Sequence, residues 1–166
     1  APNNLIEMVG PTVARFRGSS ARILLLATQA TIDSGIYQNA FHMVGLTPTP
    51  LAIPQLAGAI ERGESVELIE HIITEAYETV RQNEYDALVL ACTHYPLVID
   101  IFKKVTGGRI AIFDPAEAVA ERVERLWWPR EVRDGRMRFL ISRDSATFRS
   151  TVAELFPRQA YTIDIL

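Results

Sequence analysis

Three short apolar runs restrict the folds open to this chain: "RILLLAT" at 22–28, "DALVLAC" at 86–92 and "RIAIFD" at 109–114. None alternates apolar with polar residues, so both faces of each segment need cover. Strands of a parallel sheet with helices on both sides have that requirement. Helical patterns occupy the intervals. Residues 66–82 set Ile69, Ile72, Ile73, Ala76, Tyr77 and Val80 on one face. Residues 115–127 repeat the pattern with Ala116, Val119, Ala120, Val123 and Trp127, behind Pro115 at the first helical position. Ile36, Tyr37, Ala40, Phe41 and Val44 form a further stripe that stops at Gly45. Strand alternating with helix predicts an α/β fold, an open and mainly parallel sheet flanked by helices.

The last thirty residues have a different texture. "RMRFLIS" (136–142) and "YTIDIL" (161–166) alternate apolar with polar residues, so each strand has one face less buried. A helix with Phe148, Val152, Leu155 and Phe156 lies between them. The charged stretch "WPREVRDGR" (128–136) reads as a hinge, which divides the chain into 1–128 and 129–166. "TPTP" at 47–50 reads as an extended loop, because a residue before proline is pushed out of the helical region.

Bulk properties exclude several functions. At 166 residues the chain can bury a full core without disulfide or metal. Its 17 basic and 20 acidic residues give a net charge of −3 and are scattered, which argues against a nucleic-acid partner. One cysteine forms no intrachain disulfide. His42, His71 and His94 show no metal-ligand spacing, so no metal is expected. No stretch approaches the roughly 20 apolar residues of a membrane span, and "APNNLIEMVG" lacks the features of a signal peptide. A soluble, cytoplasmic protein is expected. Ala1 in place of Met leads to the expectation of a processed or cut chain.

The chemistry concentrates in "LACTHYP", residues 90–96. Cys92 falls at the carboxyl end of a predicted central strand, the edge where open α/β sheets bind ligands. With a helix predicted to start near Pro96, the thiol faces an amide-rich helix N-terminus, which favours a thiolate. Thr93 adds a hydroxyl and a backbone N–H, and His94 a group that exchanges protons near neutral pH. A lone cysteine at a strand end is also commonly a small buried hydrophobe. Spacing alone leaves both readings open.

The wider sequence resembles the cofactor-independent glutamate racemases of the aspartate/glutamate racemase superfamily. "LVLACTHYPLV" resembles that family's second cysteine motif, and "ARILLLATQATIDSGIYQNAF" its strand-turn-helix with an Ala-Thr-x-x-Thr-x-x-Ser pattern. "IFDPAEAVAERVERL" and "MRFLISRDSATFRSTVAELF" resemble the strand–helix pairs that follow. The resemblance implies racemization of glutamate, supplying D-glutamate for peptidoglycan, in a cleft between two α/β lobes related by a pseudo-two-fold axis. It implies no cofactor. Thiolate and thiol can take an α-proton from one face and return one to the other because their pKa lies near the operating pH. On this resemblance Cys92 is the second catalytic cysteine, with Thr93 and His94 as its substrate-binding and proton-assisting pair. Thr28 and Thr31 match positions near substrate, with helix capping as the competing role. Glu61 matches a glutamate proposed to assist catalysis, with an exposed helix end as the competing role.

The family's first lobe, with an Asp-Ser-Gly turn and a Cys-Asn-Thr motif, has no counterpart here beyond the faint echo of "APNN" at 1–4. Ile53 stands where many relatives carry cysteine. One thiol holds half of a two-base site. Three explanations follow: a piece of a racemase whose 129–166 segment packs on the missing first lobe, a one-thiol enzyme like the superfamily's decarboxylases, or an inactive binding relative. An exposed face at the end of the cysteine strand and along the tail is expected, and pairing of two copies through it.

Overall fold

The computed structural model describes residues 5–127 and 136–166. Helix α1 (Val9–Ala14) leads into β1 (Ile23–Ala27), whose five residues are all buried. Thr28 then caps α2 (Gln29–Ser34), its hydroxyl accepting from the Thr31 N–H. Gly35, at φ 64°, makes the left-handed break before α3 (Ile36–His42), a conformation that a side chain would strain. Next come β2 (Thr49–Ala52), α4 (Leu56–Glu61) and α5 (Val66–Glu78), the last capped by Ser65 accepting from Leu68 N–H. Strand β3 (Ala87–Leu90), a 3₁₀ turn (Tyr95–Val98), α6 (Ile99–Val105), β4 (Ala111–Phe113) and α7 (Pro115–Trp127) complete the main layer. The tail is β5 (Met137–Ile141), α8 (Ala146–Leu155), capped by Ser145, and β6 (Tyr161–Ile165).

The main sheet runs β2-β1-β3-β4, with every neighbouring pair parallel. The α/β expectation holds, and the lack of alternation has its cause in the register. Leu24, Leu26, Leu88 and Leu90 point to one core with Leu56, Ile69, Ile73, Tyr95 and Phe102. Ile23, Leu25, Ala27, Ala87, Val89 and Ala91 point to a second core with Val13, Phe16, Tyr37 and Phe41. Helices α4, α5 and α6 supply the first core, and α1 and α3 the second. Each fully buried Leu contributes about 1.5–3 kcal/mol relative to exposure.

One correction concerns "TPTP". Thr49 and Pro50 do not form a loop but enter β2, pairing with Leu24 and Leu25 of β1. The extended backbone that proline imposes is also that of a strand, and β2 is an edge strand, where a missing N–H costs no ladder bond. Strand β4 is shorter than the run 109–114 suggested. Residues 128–135 of the expected hinge, and the "APNN" segment, lie outside the described residues.

In the tail, β5 and β6 pair in parallel from Met137↔Tyr161 to Ile141↔Ile165, as a separate two-stranded sheet. Phe139 packs against Phe148, Phe156 and Tyr161 with ring centroids 5.7–5.8 Å apart. The alternation predicted for β5 is present: Met137, Phe139 and Ile141 are half-buried, while Arg138 and Leu140 are exposed.

At the opposite edge from the strand C-termini, Arg22 and Asp86 lock β1 to β3. Asp86 accepts from the Arg22 backbone N–H at 2.8 Å and from its Nε and Nη2 at 3.0 and 2.9 Å. These bonds, the guanidinium first and the backbone N–H second, hold the Asp86 carboxyl down to about 2. A depressed carboxylate stabilises the fold above its unfolded range near 3.9, and that stabilisation is lost as pH falls through about 2. Asp86→Asn is therefore expected to lower the urea midpoint at pH 6, with the difference from wild type closing towards pH 2. The pair is exposed, so the effect is modest. A constant difference across that range contradicts the assignment.

Candidate active site at the strand C-termini

Because the four strands are parallel, the residues after β1, β2 and β3 gather at one edge. Thr28 follows β1, Ile53 follows β2 and Cys92 follows β3 by two residues. Cys92 is a free, half-buried thiol, so it is not sealed in the core. It opens a tight turn, in which the Tyr95 N–H donates to the Cys92 carbonyl at 3.2 Å. Within this turn Thr93 is exposed and His94 half-buried.

The environment of the thiol differs from expectation in one respect. The element after Cys92 is a four-residue 3₁₀ turn, and α6 starts only at Ile99. The leading amide, Tyr95 N–H, serves the Cys92 carbonyl. Two buried tyrosines, one from each core, feel the charge of the thiol. Burial, and then the charge of Cys92, raises the Tyr95 hydroxyl above the ordinary tyrosine range, so it stays a neutral donor. Burial likewise pushes Tyr37 up to about 12, against a lowering hydrogen bond with Thr12, with smaller contributions from Glu7 and Cys92.

Thr28 and Thr31 approach each other with hydroxyl oxygens 3.0 Å apart, and Thr28 also caps α2. The capping role is thus realised, and with one hydroxyl donating to the other the pair keeps one O–H hydrogen for a further acceptor. Glu61 is exposed at the last position of α4. It shares with His94 a cleft of about 570 Å³ that the tail also lines, through Ser142, Arg143, Thr147 and Phe148. Glu61 and His94 are thus brought to one hollow; Cys92, Thr93, Thr28 and Thr31 are not part of its lining.

Sequence reasoning missed two contributors. Tyr95 is fully buried and its hydroxyl donates to the Ile53 carbonyl at 3.0 Å. A buried tyrosine needs such a partner, and its place directly behind His94 was the available signal. The tail's share of the cleft carried no signal, since only folding brings it to α4. No helix among the described residues is long and apolar enough to cross a membrane.

The chain has known relatives. A family model described as Asp/Glu/hydantoin racemase matches residues 3–123. The glutamate racemase of Chlorobaculum parvum is 36% identical over 120 residues, covering 70% of this chain and 44% of that protein. The solved glutamate racemase of Thermus thermophilus, in complex with β-chloro-D-alanine, superposes with a TM-score of 0.74 at 28% identity, over 96% of this chain and 61% of that one. That of Francisella tularensis, in complex with D-glutamate, reaches a TM-score of 0.85 at 20% identity, over 97% and 63%. The chain spans about half the length of the curated relatives it matches. The family model spans well over half of the 166 residues: the chain belongs to the Asp/Glu/hydantoin racemase family.

Proposed function

We propose that this chain carries one side of a glutamate racemase site, in which Cys92 exchanges the α-proton of glutamate without a cofactor. The observation that carries the reading is the half-buried Cys92 turn at the carboxyl edge of the central strand β3, whose parallel neighbour β1 leads into Thr28. The Cys92 thiolate takes the α-proton, the C–H electron pair stays on Cα, and a second acid on the opposite face returns a proton to give the enantiomer. An α-proton is a weak acid, so the carboxylate and ammonium must be held rigidly as charge develops. Thr93, Thr28 and Thr31 supply hydroxyls and amides for the carboxylate. His94, next but one to Cys92, and Glu61, which shares a cleft with His94, assist proton movement. The expected setting is the cytoplasm, where D-glutamate enters peptidoglycan synthesis.

The opposite-face group belongs to a complementary lobe, of which the relatives have about the missing length. The tail supports this. Parallel sheets are ordinarily covered on both faces, yet the β5–β6 sheet leaves Leu140 on one face and Ile165 on the other at 54 and 55% exposure, with Leu166 just past the strand at 83%. Residues 129–166 accordingly dock on that lobe, while 1–128 form the lobe bearing Cys92. Without it, the same surface drives pairing of two copies, so concentration-dependent association is expected in sedimentation runs. A strictly monomeric, highly soluble chain contradicts it.

The lone thiol makes the substrate assignment testable. Glutamate is expected to slow alkylation of Cys92 by iodoacetamide in a saturable way, while leucine does not. An alkylation rate indifferent to glutamate at every concentration rejects the site.

A further inference from the structure

The three loops of the candidate site hang on one chain of hydrogen bonds. Ala27, immediately before Thr28, accepts from the Ile53 N–H at 3.0 Å, and the Ile53 carbonyl accepts from the Tyr95 hydroxyl at 3.0 Å. The Tyr95 N–H then closes the Cys92 turn at 3.2 Å. Ile53 stands three residues ahead of α4, the helix that ends at Glu61 and packs on the 3₁₀ turn starting at Tyr95. The middle link is buried and joins residues 42 apart in sequence. Only backbone atoms of Ile53 take part in these bonds, while its side chain packs in the first core.

We propose that Tyr95 is a positioning residue, whose hydroxyl bond to the Ile53 carbonyl fixes the α4 carboxylate of Glu61 and the imidazole of His94 relative to the Cys92 sulfur. The inference rests on the proton-transfer reading of Cys92. The hydroxyl holds the loops in register and touches no substrate. Its ring is fully buried, 5.9 Å from the Phe102 ring. Phenylalanine therefore fills the same space and removes the bond alone. Burial also keeps the hydroxyl protonated, so the donor persists across the working pH range.

The test is a double-substitution cycle on the chain itself, read as the rate of Cys92 alkylation by iodoacetamide. Glu61→Gln is expected to change that rate at least threefold in the wild-type background and less than about twofold in Tyr95→Phe, the scale of coupling between residues of one network. Tyr85→Phe is the control: it is also a buried tyrosine, and its hydroxyl accepts from Asn83 at 3.2 Å away from the site. In that background the Glu61 effect persists. An equal Glu61 effect with and without the Tyr95 hydroxyl overturns the inference. So does no effect in either background, or loss of the effect in Tyr85→Phe as well. A Tyr95→Phe chain that fails to fold counts against it too, since the hydroxyl is assigned to alignment and not to the core. None of these outcomes touches protection of Cys92 by glutamate, which tests the underlying reading separately.

Discussion

If Cys92 transfers the α-proton as proposed, Cys92→Ser is expected to lower the rate of glutamate α-proton exchange by about 10²–10⁴-fold, the usual contribution of a positioned acid or base. The substitution nearly keeps the size and keeps a hydrogen-bonding atom but removes the thiol, the group proposed to carry the proton. Cys92 is half-buried and its turn is held through backbone atoms, the Tyr95 N–H and the Cys92 carbonyl, which serine supplies equally. Folding is therefore unaffected, and the melting temperature stays close to that of wild type. A serine protein that exchanges as fast as wild type removes the sulfur from the mechanism. A serine protein that unfolds instead makes Cys92 a structural residue.

The largest effect on stability is expected from Phe102→Ala. Phe102 is 1% exposed, joins the core formed by Leu88, Leu90, Ile69 and Ile73, and lies against the Tyr95 ring. Truncating a buried phenylalanine costs about 3–5 kcal/mol, a sum of lost transfer energy and of the cavity left behind. The cavity opens under Tyr95, so the Cys92 turn loses support along with the core. Denaturant unfolding measures the first effect, and faster alkylation of Cys92 in the folded state reports the second. A loss under 1 kcal/mol means the neighbouring rings close the gap. It also means that the cysteine turn does not depend on this packing.

The layers of this fold were legible in the sequence because two-sided burial leaves a distinctive mark. Strands β1 and β3 are apolar at every position, since alternate residues enter opposite cores. Helix α5 buries Ile69 and Ile73 on the stripe that its spacing indicated. Strand β2 was hidden by its own composition, since "TPLA" resembles a loop until a neighbouring strand is there to pair with. The turn after Cys92 was misjudged for a related reason. Proline allows a helix start without specifying whether the first turn is α or 3₁₀.

The candidate site divides in the same way. Cys92, Thr93 and His94 stand together in the chain and were visible from it. Thr28, at the end of β1, reaches the same sheet edge as Cys92 only because β1 and β3 are parallel neighbours. The cleft shared by Glu61, His94 and the tail depends on contacts between distant segments. The Tyr95–Ile53 bond was beyond reach of any residue pattern, because its acceptor is a backbone carbonyl.

A single thiol on one face of the substrate makes a sharper demand than activity alone. A base on one side of Cα reaches the hydrogen of only one enantiomer. The decisive measurement is therefore solvent deuterium entering Cα of D-glutamate and of L-glutamate, followed separately by NMR with this chain in D₂O. Exchange into one enantiomer only, abolished by prior alkylation of Cys92, is the result predicted here. Equal exchange into both enantiomers, or exchange that survives alkylation, contradicts proton transfer by this sulfur.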